Sequence, residues 1–242
     1  MGQGHGWEGA VLKLLRGKDF TFTVTGAEDV TPRYRRLRFT DGGMLAATGV
    51  HPTLWVRLWF DHAGKPHQRA YTLVDPDPAA GTFGLEFALH EGRASDWARA
   101  ARPGDTIDAT VHGTAFTDPD PAPSHVFAVA DPASLPALNS LLDAVGQAPA
   151  TIWFETDHGV DGLPFRTASS RHTVRPVPRR DRGAHLVAEV RADLPGLLEG
   201  EPDPYVWIAC DTATTRSLTA YVRKELALPK QRVNAMGYWR TT

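Results

Sequence analysis

Residues Arg69 to Phe116 read RAYTLVDPDPAAGTFGLEFALHEGRASDWARAARPGDTIDATVHGTAF, and the order of elements in this stretch decides the fold. Thr82–His90 is a strand-like run, Glu91-Gly92 a turn, and a short helix is predicted from Ser95 to Ala101 with Ala94-Ser95 at its mouth. Pro103-Gly104-Asp105 turns the chain again into a closing strand, Thr106–Val111. A strand, a glycine turn and a helix start in succession leave backbone N–H groups without intrahelical partners. The helix dipole adds positive potential there, so the spot favours an anion such as the phosphate of a cofactor.

Upstream the hydrophobic period is two. Phe20, Phe22 and Val24 alternate, Thr31-Pro32 interrupts, Tyr34, Leu37 and Phe39 resume, and the apolar Leu54–Phe60 and Tyr71–Val74 follow. Short strands broken by Gly and Pro predict an antiparallel barrel or sandwich. Further back, apolar residues at Trp7, Val11, Leu12, Leu14 and Leu15 suit a short amphipathic helix within Trp7–Arg16.

Downstream, Asp118-Pro-Asp-Pro-Ala-Pro-Ser124 is too rich in proline to continue a helix or a central strand, which puts a domain boundary between 1–118 and 124–242. Beyond it the pattern alternates. Strands are predicted at His125–Ala130, Ala150–Glu155, Leu186–Val190 and Tyr205–Ala209, with helices at Ser134–Val145 and Thr214–Leu226. Such alternation implies βαβ units and a mostly parallel sheet.

The chain has 242 residues, 42% hydrophobic and 22% charged, with a formal net charge of −2. That is the composition of an ordinary globular protein without a whole-molecule field for nucleic acid or an anionic membrane. A single cysteine, Cys210, excludes an intrachain disulfide and a cysteine-based metal cluster. No apolar run approaches the roughly 20 residues of a membrane span. The N-terminus lacks a secretory core and a myristoylation pattern, so a cytoplasmic location is expected.

The Arg69-x-Tyr71-Thr72 signature, the segment His90 to Ala98 (HEGRASDWA), Arg102-Pro103-Gly104-Asp105 and the terminal Gly237-Tyr238-Trp239-Arg240 together resemble the siderophore-interacting proteins. These are FAD-dependent ferric-siderophore reductases related to the ferredoxin reductases. The resemblance runs in the same order from about Gly17 to the C-terminus. It implies an N-terminal antiparallel six-stranded flavin-binding β-barrel and a C-terminal ferredoxin reductase-like α/β domain that binds NAD(P)H.

On this resemblance Arg69 would pair with the cofactor's diphosphate, Tyr71 would lie against the flavin or its ribityl chain, and Thr72 would hydrogen-bond near flavin N5. His90, Ala94, Ser95, Trp97 and Thr114 would complete the FAD site. Each also has a plain structural reading: an exposed arginine beside a barrel tyrosine, a serine N-cap, a core tryptophan, an ordinary polar histidine. Asp131-Pro132-Ala133-Ser134-Leu135-Pro136-Ala137 resembles the family's Asp-Glu-Thr-Ala-Leu-Pro-Ala loop, which makes Asp131 and Ser134, together with Asp211, Thr214 and Arg216, candidates for the nicotinamide nucleotide. Cys210 stands where relatives carry glycine, and a buried structural thiol is the expected reading.

Two clues to the donor oppose each other. Arg171, Arg175, Arg179, Arg180 and Arg182 crowd one proline-containing loop and suit the 2′-phosphate of NADPH or an acidic chelate. Glu155, at a strand end, suits the free ribose hydroxyls of NADH. No resident metal site and no catalytic side chain are expected, because flavin would do the chemistry and iron would be substrate, held in a ferric siderophore or other ferric chelate. A flavin reductase with another acceptor, and a non-catalytic flavin- or siderophore-binding protein, remain open at this point.

Overall fold

The computed structural model describes residues 18–62, 65–111 and 115–240. The helix expected within Trp7–Arg16, and Thr114, lie outside the described residues. The chain divides into two compact units between Phe116 and Thr117.

The first unit is one antiparallel sheet of β1 (Lys18–Thr31), β2 (Tyr34–Thr40), β3 (Trp55–His62), β4 (Lys65–Thr72), β5 (Val74–Asp77), β6 (Thr82–Ala88) and β7 (Thr106–Val111), in the order β4-β3-β7-β1-β2-β6-β5. The edge strands β4 and β5 are consecutive in the chain, with only Leu73 between them. A sheet whose opposite edges are one residue apart must curl back on itself, so the seven strands form a half-barrel. The short β5 is one strand more than the six expected. Inward residues alternate as the sequence pattern requires. Phe22, Val24, Leu37, Phe39, Val56, Leu58, Leu85 and Phe87 fill the core, and Phe22, Phe39 and Phe83 stack edge-to-face and face-to-face within it. Two short helices, α1 (Met44–Thr48) and α2 (Arg93–Ala100), belong to the same unit.

A buried ion pair ties this sheet across strands. Glu86 on β6 accepts from Tyr34 Oη at 2.8 Å and from Arg36 Nε at 2.9 Å, both on β2. A carboxylate buried to this depth is tolerated because both its oxygens are engaged.

The second unit is a five-stranded parallel sheet of β8 (His125–Ala130), β9 (Ala150–Thr156), β10 (His172–Pro178), β11 (Pro204–Asp211) and β12 (Val233–Trp239), ordered β10-β9-β8-β11-β12. Its connections include α3 (Leu135–Ala144), α4 (Ala184–Leu198) and α5 (Thr212–Ala220), the last continuing as a π-turn over Tyr221–Glu225. The strand order reverses between β8 and β11, which makes the crevice at their carboxyl ends the topological switch point.

Two expectations are corrected here. Leu186–Val190 is not a strand but part of α4: Leu186, Val190 and Leu194, spaced by four, form its buried stripe. The third strand is β10, inside the arginine-rich segment read as a loop. Pro176 and Pro178 disguised it, and they are accommodated because β10 is an edge strand. Among the described residues no helix is long and apolar enough to cross a membrane.

Candidate cofactor site

In the first unit the Arg-x-Tyr-Thr signature forms the end of β4, opposite β3, with Thr72 paired to Trp55 and Arg69 to Leu58. Tyr71 is half-buried against Phe87, with ring centroids 4.5 Å apart, and against Phe60 at 6.4 Å. Burial raises the pKa of its hydroxyl and the nearby Arg69 charge opposes that rise, so the phenol stays protonated at any physiological pH. Arg69 is exposed, and among the described residues its guanidinium donates only to the Gln68 carbonyl, at 2.9 Å.

Thr72 points to the other side of the strand and is 5% exposed, yet its Oγ1 is buried with no hydrogen-bond partner among the described residues. An orphaned hydroxyl of this kind costs about 1–3 kcal/mol. It fits a ligand atom supplied from outside the chain.

Helix α2 begins at Arg93, two residues before Ser95, because Gly92 takes a φ of 135° that only glycine adopts without strain. Ser95 is therefore not the N-cap. Its Oγ is buried and accepts the His90 backbone N–H at 3.2 Å, which folds the turn back onto the helix. No side chain caps α2, and the one carboxylate in its first turn, Asp96, is paired with Arg99 at 3.1 Å. Buried Ala94 stands at this uncapped end. The turn thus presents bare N–H groups, which fits a diphosphate.

Trp97 packs among Phe39, Phe60 and Phe87, with centroids 5.8–6.5 Å away. Through Phe60 and Phe87 it shares one aromatic cluster with Tyr71, so the β4 signature and the α2 segment are brought together. His90 lies past the strand, which ends at Ala88. It is exposed, with Nδ1 2.6 Å from the Glu91 carbonyl.

In the second unit Asp131 and Asp211 stand at the carboxyl ends of β8 and β11, flanking the switch point. Asp131 Oδ1 accepts the N–H groups of Ala133 and Ser134, at 2.9 and 3.0 Å, and Oδ2 accepts Trp239 Nε1 at 2.6 Å. Burial raises its pKa, against those hydrogen bonds. Ser134 is wholly buried, and its Oγ bonds the backbone of Asp131. Asp211 Oδ1 caps α5 by accepting from Ala213 and Thr214, at 2.9 and 3.1 Å. The N-terminus of α5 therefore already holds a carboxylate of the chain itself, whereas Asp131 closes the turn before α3 without capping that helix.

Sequence reasoning marked Glu155 and Arg179 separately and missed that they pair. Glu155, 2% exposed at the end of β9, accepts from Arg179 Nη1, which is also 4.0 Å from Asp211 Oδ2 and lies 4.6 Å over the Trp239 ring. Each clue to the donor thus occupies the other. Burial outweighs the arginine and pushes the Glu155 pKa up to about 7, with Asp131 and Asp211 adding to the rise. Among the described residues Glu155 Oε1 and Asp211 Oδ2 have no hydrogen-bond partner.

Thr214 is buried beside this cluster. Arg216 is exposed and lines a separate groove between α5 and β12. Cys210 is fully buried, its thiol pKa pushed up by burial and by the three carboxylates against a contact to Thr215, so it acts as a small core residue.

A curled antiparallel unit followed by a parallel α/β unit defines a ferredoxin reductase-like fold. The ferredoxin-NADP+ reductase of Plasmodium falciparum matches it over 93% of this chain and 98% of that one, at a TM-score of 0.68 and 11% identity. The siderophore-interacting protein of Acinetobacter baumannii matches over 92% and 91%, at a TM-score of 0.77 and 23% identity.

In sequence, the Siderophore-interacting FAD-binding domain profile matches residues 48–113 and the Siderophore-interacting protein profile matches residues 123–242. The chain belongs to the siderophore-interacting protein family. The ferric acinetobactin reductase of A. baumannii is 26% identical over 78% of this chain and 67% of its own length. The mycobactin import ATP-binding/permease protein IrtA of Mycobacterium tuberculosis is 29% identical over 97% of this chain, which spans 28% of IrtA's length.

Proposed function

We propose that the chain is a flavin-dependent ferric-chelate reductase that binds FAD in its first unit, takes electrons from NAD(P)H and delivers them to an Fe(III) siderophore or similar chelate. In balance, one NAD(P)H and two Fe(III) give NAD(P)+, a proton and two Fe(II). FAD, when bound, supplies the conversion of a two-electron donor into single-electron deliveries. Hard oxygen ligands hold Fe(III) far better than Fe(II), so reduction releases the metal.

The observation that carries this reading is the unpartnered Thr72 Oγ1 beside the Tyr71 aromatic cluster, in a family whose domain is described as FAD-binding. Thr72 would donate to a ring heteroatom, Tyr71 would cover the ring or the chain attached to it, and Arg69 with the uncapped start of α2 at Ala94-Ser95 would hold the diphosphate.

For the donor, the Asp211 cap of α5 and the Asp131 carboxylate in the turn before α3 favour recognition of hydroxyl and amide groups over phosphate. The free oxygens of Glu155 and Asp211 can accept ribose hydroxyls or a carboxamide N–H once Arg179 swings aside. These same carboxylates favour a second reading, a flavin-binding protein that has lost the nicotinamide donor.

One experiment separates the two. Purified protein is reconstituted with FAD and followed anaerobically in the visible on addition of NADH or NADPH, then of a ferric chelate. Bleaching by one donor and recolouring by iron supports the reductase. Retained flavin that neither donor bleaches favours the second reading, and a colourless protein that takes up no FAD overturns both.

A further inference from the structure

A groove of about 690 Å³ runs between α5 with its π-turn and strand β12. Its cations are Arg216, Arg223, Lys224 and Arg240, all exposed, and no carboxylate lines it. None of the four is in an ion pair among the described residues, and the neighbouring Glu225 is turned away to Arg191, at 2.6 and 3.1 Å. The groove floor is Ala235 and Gly237, whose small side faces leave the trough open.

Strand β12 is also the outer strand of the parallel sheet, paired on one side only, to β11. Asn234, Ala235, Met236 and Gly237 are exposed in succession, and among the described residues no strand pairs with the second edge of β12, which offers N–H and C=O groups to an added strand.

We propose that this groove docks an extended acidic segment of a partner protein, which adds to the open edge of β12 and directs its carboxylates at Arg216, Arg223 and Lys224. The length and charge of the trough fix that occupant. The trough spans about 18 Å of helix from Thr212 to Lys224, the reach of about six residues of strand. A single compact anion would leave one end of the cationic row empty, since Arg216 and Arg223 are about 10 Å apart along the helix.

A second copy of this chain would bring the same four cations face to face. The first seventeen residues of the chain offer only Glu8 against Lys13 and Arg16, so they lack the charge. The inference is independent of the reductase reading, because it concerns binding and not turnover.

The test uses fluorescence anisotropy of the full chain with three labelled decapeptides, alternating glutamate–valine, lysine–valine and glutamate–proline. The glutamate–valine peptide is expected to bind. Its affinity should fall about tenfold between about 50 and 300 mM salt as screening shortens. The lysine peptide should not bind. The proline peptide, with the same charge but half its N–H donors removed, should bind at least about fivefold more weakly.

The double variant Arg223→Ala/Lys224→Ala should lose binding about tenfold with an unchanged circular dichroism spectrum and thermal midpoint. Amide exchange at Asn234–Gly237 should slow when the peptide binds. Equal binding of the proline peptide, full displacement by inorganic pyrophosphate, retention of affinity in the double variant, or no binding of the glutamate–valine peptide would each overturn the proposal.

Discussion

Replacing Thr72 by valine removes one hydroxyl and leaves the shape of the side chain nearly unchanged, so it isolates the feature on which flavin recognition rests. In the folded chain Thr72 is 5% exposed and its Oγ1 has no partner. In the unfolded chain that hydroxyl is hydrated. Folding without ligand therefore bears the desolvation of a hydroxyl, and valine relieves it. The apoprotein carrying Thr72→Val should be more stable than the parent by about 1–2 kcal/mol, the lower part of the range for a buried unsatisfied group.

The same quantity appears with opposite sign in binding. On the proposed reading FAD would satisfy the orphan in the parent and recover its cost, whereas in the variant there is nothing to recover. The affinity for FAD should drop by the corresponding factor of about 5–30. Urea unfolding of the flavin-free proteins gives the first arm, and flavin fluorescence titration gives the second. A rise in stability with unchanged affinity would mean that the hydroxyl faces no ligand. A fall in stability would mean that it has a partner within the chain, and either result refutes the reasoning.

Three further outcomes are expected. Arg69→Ala should weaken FAD binding about tenfold and leave urea stability within about 0.5 kcal/mol, because the exposed guanidinium contacts only the Gln68 carbonyl in the free chain; an unchanged FAD titration would remove Arg69 from the site. Glu155, raised from 4.5 to about 7, holds its proton in the fold to higher pH than in the unfolded chain, so its contribution falls as pH rises through that window. Relative to Glu155→Gln, the parent should lose up to about 3 kcal/mol across it, and parallel pH–stability profiles of the two proteins would contradict this. Gly183→Ala should destabilise by about 2–3 kcal/mol in urea, since φ is +93° there and the new Cβ would lie 2.2 Å from Thr214 Oγ1 and 3.3 Å from Asp211 Oδ2; a neutral result would mean that the α4 entry turn relaxes freely.

Much of the fold is legible in the chain because its strands obey simple periods. Phe20, Phe22 and Val24 alternate, and they lie in a half-barrel strand with one face on the core. Val126–Ala130 and Ile152–Phe154 are continuous apolar runs, and they lie in β8 and β9, inner strands of a parallel sheet covered on both faces. The edges defeat this reading. β10 carries Arg175, Pro176 and Pro178, and β12 is exposed over Asn234–Gly237, because an edge strand need be neither apolar nor free of proline.

Leu186–Val190 was misread for the opposite reason: five residues with four apolar members fit a strand as well as a helix, and only Leu194 one turn further on decides between them. In the site, residue identity came from resemblance, while bonding did not. Nothing in sequence spacing pairs Glu155 with Arg179, or seats Trp239 of the terminal signature on Asp131, because these contacts join strand ends that only the sheet brings to one rim.

The helix N-termini of the two units carry different charges, and that difference explains why a phosphate-bearing cofactor should prefer the first. α2 starts at a glycine with no cap and with its one nearby carboxylate held by Arg99, so its dipole is uncompensated. α5 starts at Asp211, so a phosphate arriving there would meet a buried carboxylate at hydrogen-bonding range of the same N–H groups, and at the turn before α3 it would meet the buried carboxylate of Asp131 on the Ala133 and Ser134 N–H groups. Replacing either carboxylate would cost a charge-assisted hydrogen bond, worth about 1.5–3 kcal/mol, before any gain from the phosphate. Glu155 and Asp211 instead keep unpartnered oxygens, which accept protons from hydroxyl and amide groups and repel anions. A dinucleotide bound in this crevice would therefore be held by its sugar and carboxamide, with its phosphates lodged against arginine side chains and not against helix ends.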